Sequence, residues 1–175
     1  MDSIIDLIER CNRALGRAAA WCALVMMLAQ AFSVIARYVF SYGVISVQEA
    51  AIYGHALIFL AGSAFVLQVN EHVRVDVFYA RYRSETRRRV DLIALLVFIL
   101  PVAVTILWVS YPYVARAWSV LEGSRQAGGI PAVFLLKTAI VIFSVSVGLQ
   151  AIATAARLFA RKSTPAWDTD DLGGN

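Results

Sequence analysis

Four stretches of this chain, residues 18–37, 47–69, 91–114 and 131–156, are each long and apolar enough to cross a bilayer as a helix. A helix rises about 1.5 Å per residue and the hydrocarbon core is about 30 Å thick, so roughly 20 apolar residues make one crossing. Hydrophobic residues make up 60% of the sequence and the mean hydropathy is +0.69, beyond what a soluble domain carries. The predicted fold class is all-α integral membrane: four transmembrane helices with an N-terminal amphipathic interfacial helix and a cytoplasmic connector.

The first stretch follows a segment carrying Asp2, Asp6 and Glu9, and its Ala18-Ala19-Ala20 run precedes the apolar core. A cleavable signal peptide has the opposite order, so this stretch is read as an uncleaved span.

Orientation follows from the basic residues. With the N-terminus in the cytoplasm, the segments on that side hold Arg10, Arg13, Arg17, Arg74, Arg81, Arg83, Arg87, Arg88, Arg89, Arg157, Arg161 and Lys162. The opposite side holds Arg37, Arg116, Arg125 and Lys137, and a bias of twelve against four places both termini in the cytoplasm. The net charge of +4 and pI of about 9.3 then reflect anionic lipid headgroups and require no nucleic-acid partner.

The chain divides into a leader (1–17), a transmembrane domain (18–157) and a cytoplasmic tail (158–175). In the leader, Ile4, Ile5, Ile8, Cys11 and Leu15 follow helical spacing while Asp6, Glu9, Arg10 and Arg13 take the other face, a pattern suited to a helix lying in the membrane interface. Residues 40–46 form a short extracytoplasmic turn, with Tyr38 and Tyr42 placed where aromatic rings prefer the headgroup region, and residues 70–90 form a basic connector on the cytoplasmic surface. Pro101, near the middle of the third span, is expected to kink it, and Pro112 lies near its outer end. The loop 115–130 carries Trp118 as an interface anchor and Gly123, Gly128 and Gly129 for tight turns before Pro131 opens the last helix. The tail, with Asp168, Asp170 and Asp171, reads as disordered.

Ionisable residues inside a membrane usually mark function or pairing. Here Arg37 and Glu49 lie at the outer ends of the first two spans and Asp91 at the inner end of the third, none of them at the midplane. The short hairpin brings Arg37 and Glu49 to one side, where they either pair, reach a partner or snorkel to water separately. His55 is deeper and reads as a packing residue, and His72 lies in the connector, so no two histidines face each other to hold a haem. Cys11 and Cys22 favour neither a disulfide nor a metal site. The chain shows no GxSxG, P-loop, GxGxxG or HExxH run, which argues against an enzyme and for no cofactor. Ser144, Gly148, Ala151 and Ala155 line one face of the fourth span, and Ala50 with Gly54 a shorter seam in the second. Such small-residue seams either close the bundle or admit another subunit.

The run Glu71-His72-Val73-Arg74-Val75-Asp76, directly after the second span, resembles the HxRVD signature of the small, DctQ-like membrane subunit of tripartite ATP-independent periplasmic (TRAP) transporters. Arg37-Tyr38-Val39-Phe40 at the end of the first span, Glu49 opening the second and Gly128-Gly129-Ile130-Pro131 entering the fourth agree in order and spacing. Gln48 stands where members often have a second acidic residue before Glu49.

The resemblance implies a bacterial inner-membrane secondary transporter that takes up an organic anion, a carboxylate or sulfonate, with sodium. A periplasmic binding protein delivers the solute. A large elevator-type membrane subunit holds the substrate and sodium sites, and the small subunit braces its scaffold among the membrane lipids. On that reading no residue of this chain binds substrate or metal, and Arg37, Glu49, His72, Arg74, Asp76, Ser144 and Gly148 are candidates for structural or subunit-interface roles. Two competing expectations are a small four-span proton-coupled efflux pump with Glu49 as its essential carboxylate, and a haem-binding electron-transfer subunit.

Overall fold

The computed structural model describes residues 2–69 and 84–160. Their ordered elements are all helical: α1 (Asp2–Phe40), α2 (Ile45–Gln68), α3 (Ser84–Ile93), a π-helical stretch (Ala94–Ile99), α4 (Leu100–Ser119) and α5 (Val133–Ala160). Four helical paths, Ile4–Phe40, Ile45–Gln68, Glu85–Ser119 and Val133–Ala160, are long and apolar enough to cross a membrane. The all-α membrane class is thus the observed one. The HxRVD run, with His72, Arg74 and Asp76, lies outside the described residues, as do residues 161–175 of the tail.

The leader differs from its expected form. It does not make a separate helix but continues directly into the first span, so that α1 runs unbroken for 39 residues, about 58 Å at the helical rise. The one helix-weakening residue at the junction, Gly16, has a packing reason: a Cβ there would lie 2.8 Å from the Cβ of Phe65 on α2. Within the leader, Ile5, Glu9 and Asn12 are buried, while Ile4, Leu7, Asp6, Arg10 and Arg13 are exposed. α1 stops where Ser41 turns left-handed (φ 51°), and the Tyr42 N–H reaches back to the Ala36 carbonyl at 3.0 Å. Only residues 41–44 separate α1 from α2, so the two must pack as antiparallel neighbours.

The third span is longer at both ends than hydropathy indicated, since α3, the π-helical stretch and α4 follow one another from Ser84 to Ser119. Residues 84–90, expected at the end of the connector, are therefore the start of this helical path. Pro101 acts through the π-helical stretch just before it. Proline has no N–H and its ring crowds the carbonyl four residues back; here the preceding turn is widened, and the Leu100 N–H bonds to the Leu95 carbonyl, five residues back.

α5 is the central helix. It packs against α2, α4, the π-helical stretch and the leader end of α1, while α1 packs mainly along α2. The core where α2, the π-helical stretch, α4 and α5 converge consists of Ala64, Leu67, Leu95, Ala103, Val147, Ala151 and Ala155. Four of these seven are alanines, which suits helices in lipid, where close backbone approach takes the place of a hydrophobic driving force. Large apolar residues point outward instead, among them Trp21 at 70% and Trp108 at 81% exposure, the inside-out arrangement that a lipid environment accommodates.

Candidate functional site

Among the described residues, the ion pairs and the hydrogen bonds that join one element to another lie toward the two ends of the helices. At the hairpin end, where α1 turns into α2, the loop 120–132 folds back onto α2. Glu49, in the second turn of α2, accepts a hydrogen bond from the Ile130 N–H at 2.6 Å and another from the Ser124 hydroxyl. The Ser46 hydroxyl donates to the Gly128 carbonyl. Ser124 is held in turn, its N–H donating to the Ile130 carbonyl at 3.1 Å and its Oγ accepting from the Gln126 N–H at 3.1 Å. A Cβ on Gly129 would lie 2.8 Å from Glu49 Oε1 and closer still to Ser124 Oγ, and Gly128 has φ 80°. Both glycines are thus required by the latch around Glu49.

Of the alternatives open to Arg37 and Glu49, an ion pair between the two is not formed. Arg37 Nη2 donates to Gln48 Oε1 at 3.2 Å, and the Glu49 carboxylate is already occupied by the loop. Gln48, the position that departs from the acidic pattern, is therefore the acceptor for Arg37.

The same loop is tied to α5 by Lys137, whose Nζ forms an ion pair with Glu122 and sits 3.9 Å from the centre of the Tyr113 ring. Trp118 Nε1 donates to Thr138 Oγ1 at 2.9 Å, and its ring meets Phe134 edge-on at 4.7 Å. The loop starts with a Schellman-type cap on α4: Leu121 is left-handed (φ 46°), Glu122 N–H bonds to the Ala117 carbonyl at 2.9 Å and Leu121 N–H to that of Trp118 at 3.2 Å.

At the opposite end, the leader docks on α5. Asn12 Nδ2 donates to Gln150 Oε1 at 2.7 Å, and Gln150 Nε2 donates to Thr154 Oγ1 at 3.2 Å. Asn12 is 3% and Gln150 1% exposed. Arg157 bridges Asp6 at 3.1 Å and Glu9 at 3.0 Å, and Glu9 also pairs with Arg13 at 3.7 Å. Arg88 on α3 donates to the Leu158 carbonyl at 3.2 Å, supplying a partner to one of the carbonyls that a helix C-terminus leaves free, while its other nitrogens grip Glu85.

Of the candidates named from the sequence, Glu49 joins the loop latch, Arg37 sits beside it on Gln48, and Ser144 and Gly148 are buried on α5. Ser144 is 2% exposed and back-bonds to the Ile140 carbonyl at 2.8 Å, and a Cβ on Gly148 would lie 3.7 Å from that of Ala103 on α4. Gly54 likewise abuts Met26 of α1. Both small-residue seams thus serve contacts within the chain. Sequence reasoning missed Asn12, Gln150 and Ser124, because it searched the spans for charges. An uncharged amide inside a span was the available signal, and Gln150 is one.

The family model described as the DctQ component of tripartite ATP-independent periplasmic transporters matches residues 26–161, which takes in the loop latch, the core and α5. No curated protein and no solved structure matches the chain. With most of its length covered by that one model, the chain belongs to the DctQ family of TRAP transporter components.

Proposed function

We propose that this protein is the small permease subunit of a TRAP transporter and acts as a static brace for a large elevator-type subunit. The large subunit imports an organic anion, a carboxylate or sulfonate, together with sodium, and a periplasmic binding protein delivers the solute. The family match carries this reading. The polar network supports a brace over a carrier. Glu49 is engaged by backbone and serine donors at the hairpin end, which disfavours it as a mobile proton carrier. Two grooves along the helices, of about 430 Å³ beside Phe98 and Phe143 and about 470 Å³ beside Leu7 and Leu149, are lined mostly by apolar side chains, unsuited to an organic anion, and the polar groove beside Arg37 is a smaller one of about 220 Å³.

The distribution of basic residues supports an inner-membrane orientation with both termini in the cytoplasm and the Glu49 latch in the periplasm. In that frame His72, Arg74 and Asp76 hold the cytoplasmic connector in shape or against the large subunit.

Reconstitution in liposomes with a sodium gradient tests the proposal. Uptake of candidate carboxylates and sulfonates should require this chain, the large subunit and the binding protein together. Sodium-driven uptake by this chain alone would overturn it.

A further inference from the structure

His55 is the eleventh residue of the 24-residue α2, next to the middle of a helix that spans the membrane. It is nonetheless exposed. Its ring leans on Phe59 of its own helix, with centroids 4.8 Å apart, and among the described residues it has no hydrogen bond. α2 meets α1 through Gly54 and Gly62 and contributes Ala64 and Leu67 to the core it shares with α5. The side of α2 that carries His55 does neither: Ile52, three residues before it, is 56% exposed and Phe59, four residues after it, 64%. Residues at that spacing share one helix face. An imidazole left in hydrocarbon is costly, and ionisable residues at this depth normally face protein or water.

The same face continues to the hairpin end. Gln48, two turns from His55 and also exposed, lines a groove of about 220 Å³ between α1 and α2 together with Gln30, Ser33 and Arg37. Ser33 Oγ is buried there without a hydrogen-bond partner. The groove's lining holds a guanidinium, two amides and two hydroxyls, of Ser33 and Tyr38, and no carboxylate. Gln48 and His55 lie roughly 10 Å apart along the axis, within reach of a single helix laid against this face.

We propose that this open face of the α1–α2 hairpin is the docking surface for a transmembrane helix of the large subunit, one that presents a polar group to His55 and a carboxylate to the Arg37 groove. The inference rests on the TRAP reading above and specifies where the partner sits. Charge complementarity and the need to satisfy His55 at mid-depth favour a protein helix over lipid tails, which offer no hydrogen bond.

The test uses the full chain co-expressed with its large subunit, with a photocrosslinking amino acid in place of Ile52 or Phe59. Controls carry it at Val104 or Trp108 on α4, which are 56% and 81% exposed. Crosslinks to the large subunit are expected from α2 and not from α4. His55→Leu should lower the large subunit recovered with this chain by about fivefold, with His55→Asn restoring most of it, the behaviour of an interhelical hydrogen bond. If the complex is recovered but crosslinks arise only from α4, join two copies of this chain or reach only lipid, the proposed face is wrong while the TRAP reading stands. If the wild-type chain retains no large subunit, both fall together.

Discussion

Asn12 and Gln150 are 138 residues apart in the chain, yet the amide of Asn12 donates to that of Gln150 at 2.7 Å with both side chains almost fully buried. This contact fastens the leader to the central helix. The leader's polar groups thus have protein to bond to where α1 continues as one helix beyond its apolar stretch. Such a bond in lipid contributes about 0.6 to 2 kcal/mol, and leaving one buried amide unpaired costs about 1 to 3 kcal/mol.

Asn12→Leu or Gln150→Leu alone should therefore destabilise the protein by about 1 to 3 kcal/mol. The double variant should cost less than the sum, because no amide is then orphaned. Unfolding of the purified protein in detergent measures the three values, and strict additivity would show that the two residues do not act as a pair.

The latch around Glu49 predicts a change in loop opening. Arg125 is exposed in that loop, so trypsin can report on it. Glu49→Ala removes two hydrogen bonds to a charged acceptor, each contributing about 1.5 to 3 kcal/mol, and cleavage after Arg125 should accelerate by about tenfold or more. Gly129→Ala should act in the same direction by forcing Ser124 and Glu49 apart, and Glu49→Gln should fall between. Unchanged cleavage in Glu49→Ala would mean that the loop is held by other contacts.

Leu121 sits at the left-handed position of the α4 cap, where glycine carries no steric penalty. Its side chain is 64% exposed, so little burial is lost on removing it. Leu121→Gly should leave the fold unchanged and raise stability by up to about 1 kcal/mol. A clear loss of thermal stability would assign the leucine an anchoring role that outweighs its backbone strain.

Lys137 is only 12% exposed at its side chain and Glu122 30%. Lys137→Met leaves the half-buried Glu122 without its cation, and a loss of about 1 to 3 kcal/mol is expected. Adding Glu122→Gln should recover much of that loss. Thermal denaturation of the single and double variants decides it: a double variant no better than Lys137→Met would place the stabilisation in the lysine's packing instead of its charge.

Hydropathy determined the number of spans, their order and their approximate bounds, because a bilayer imposes a minimum apolar length that local composition either meets or fails. The runs around Arg37, Glu49 and Gly128 also carried enough local pattern to mark the hairpin end and the family. Tertiary structure alone decided which residue answers which. Arg37 and Glu49 are close in sequence and opposite in charge, yet Arg37 takes Gln48 while Glu49 is bonded by a loop about 80 residues away. The leader's amphipathic pattern did not specify which neighbour would meet it, and α5 does so, with Gln150 on Asn12 and Arg157 on Glu9. His55 shows the same divide: its place in the middle of α2 is a matter of counting residues, whereas its exposure depends on where α1 and α5 pack. Local pattern sets which faces of a helix must be satisfied, and only the docking of distant helices settles which neighbour satisfies them and which face is left for another chain.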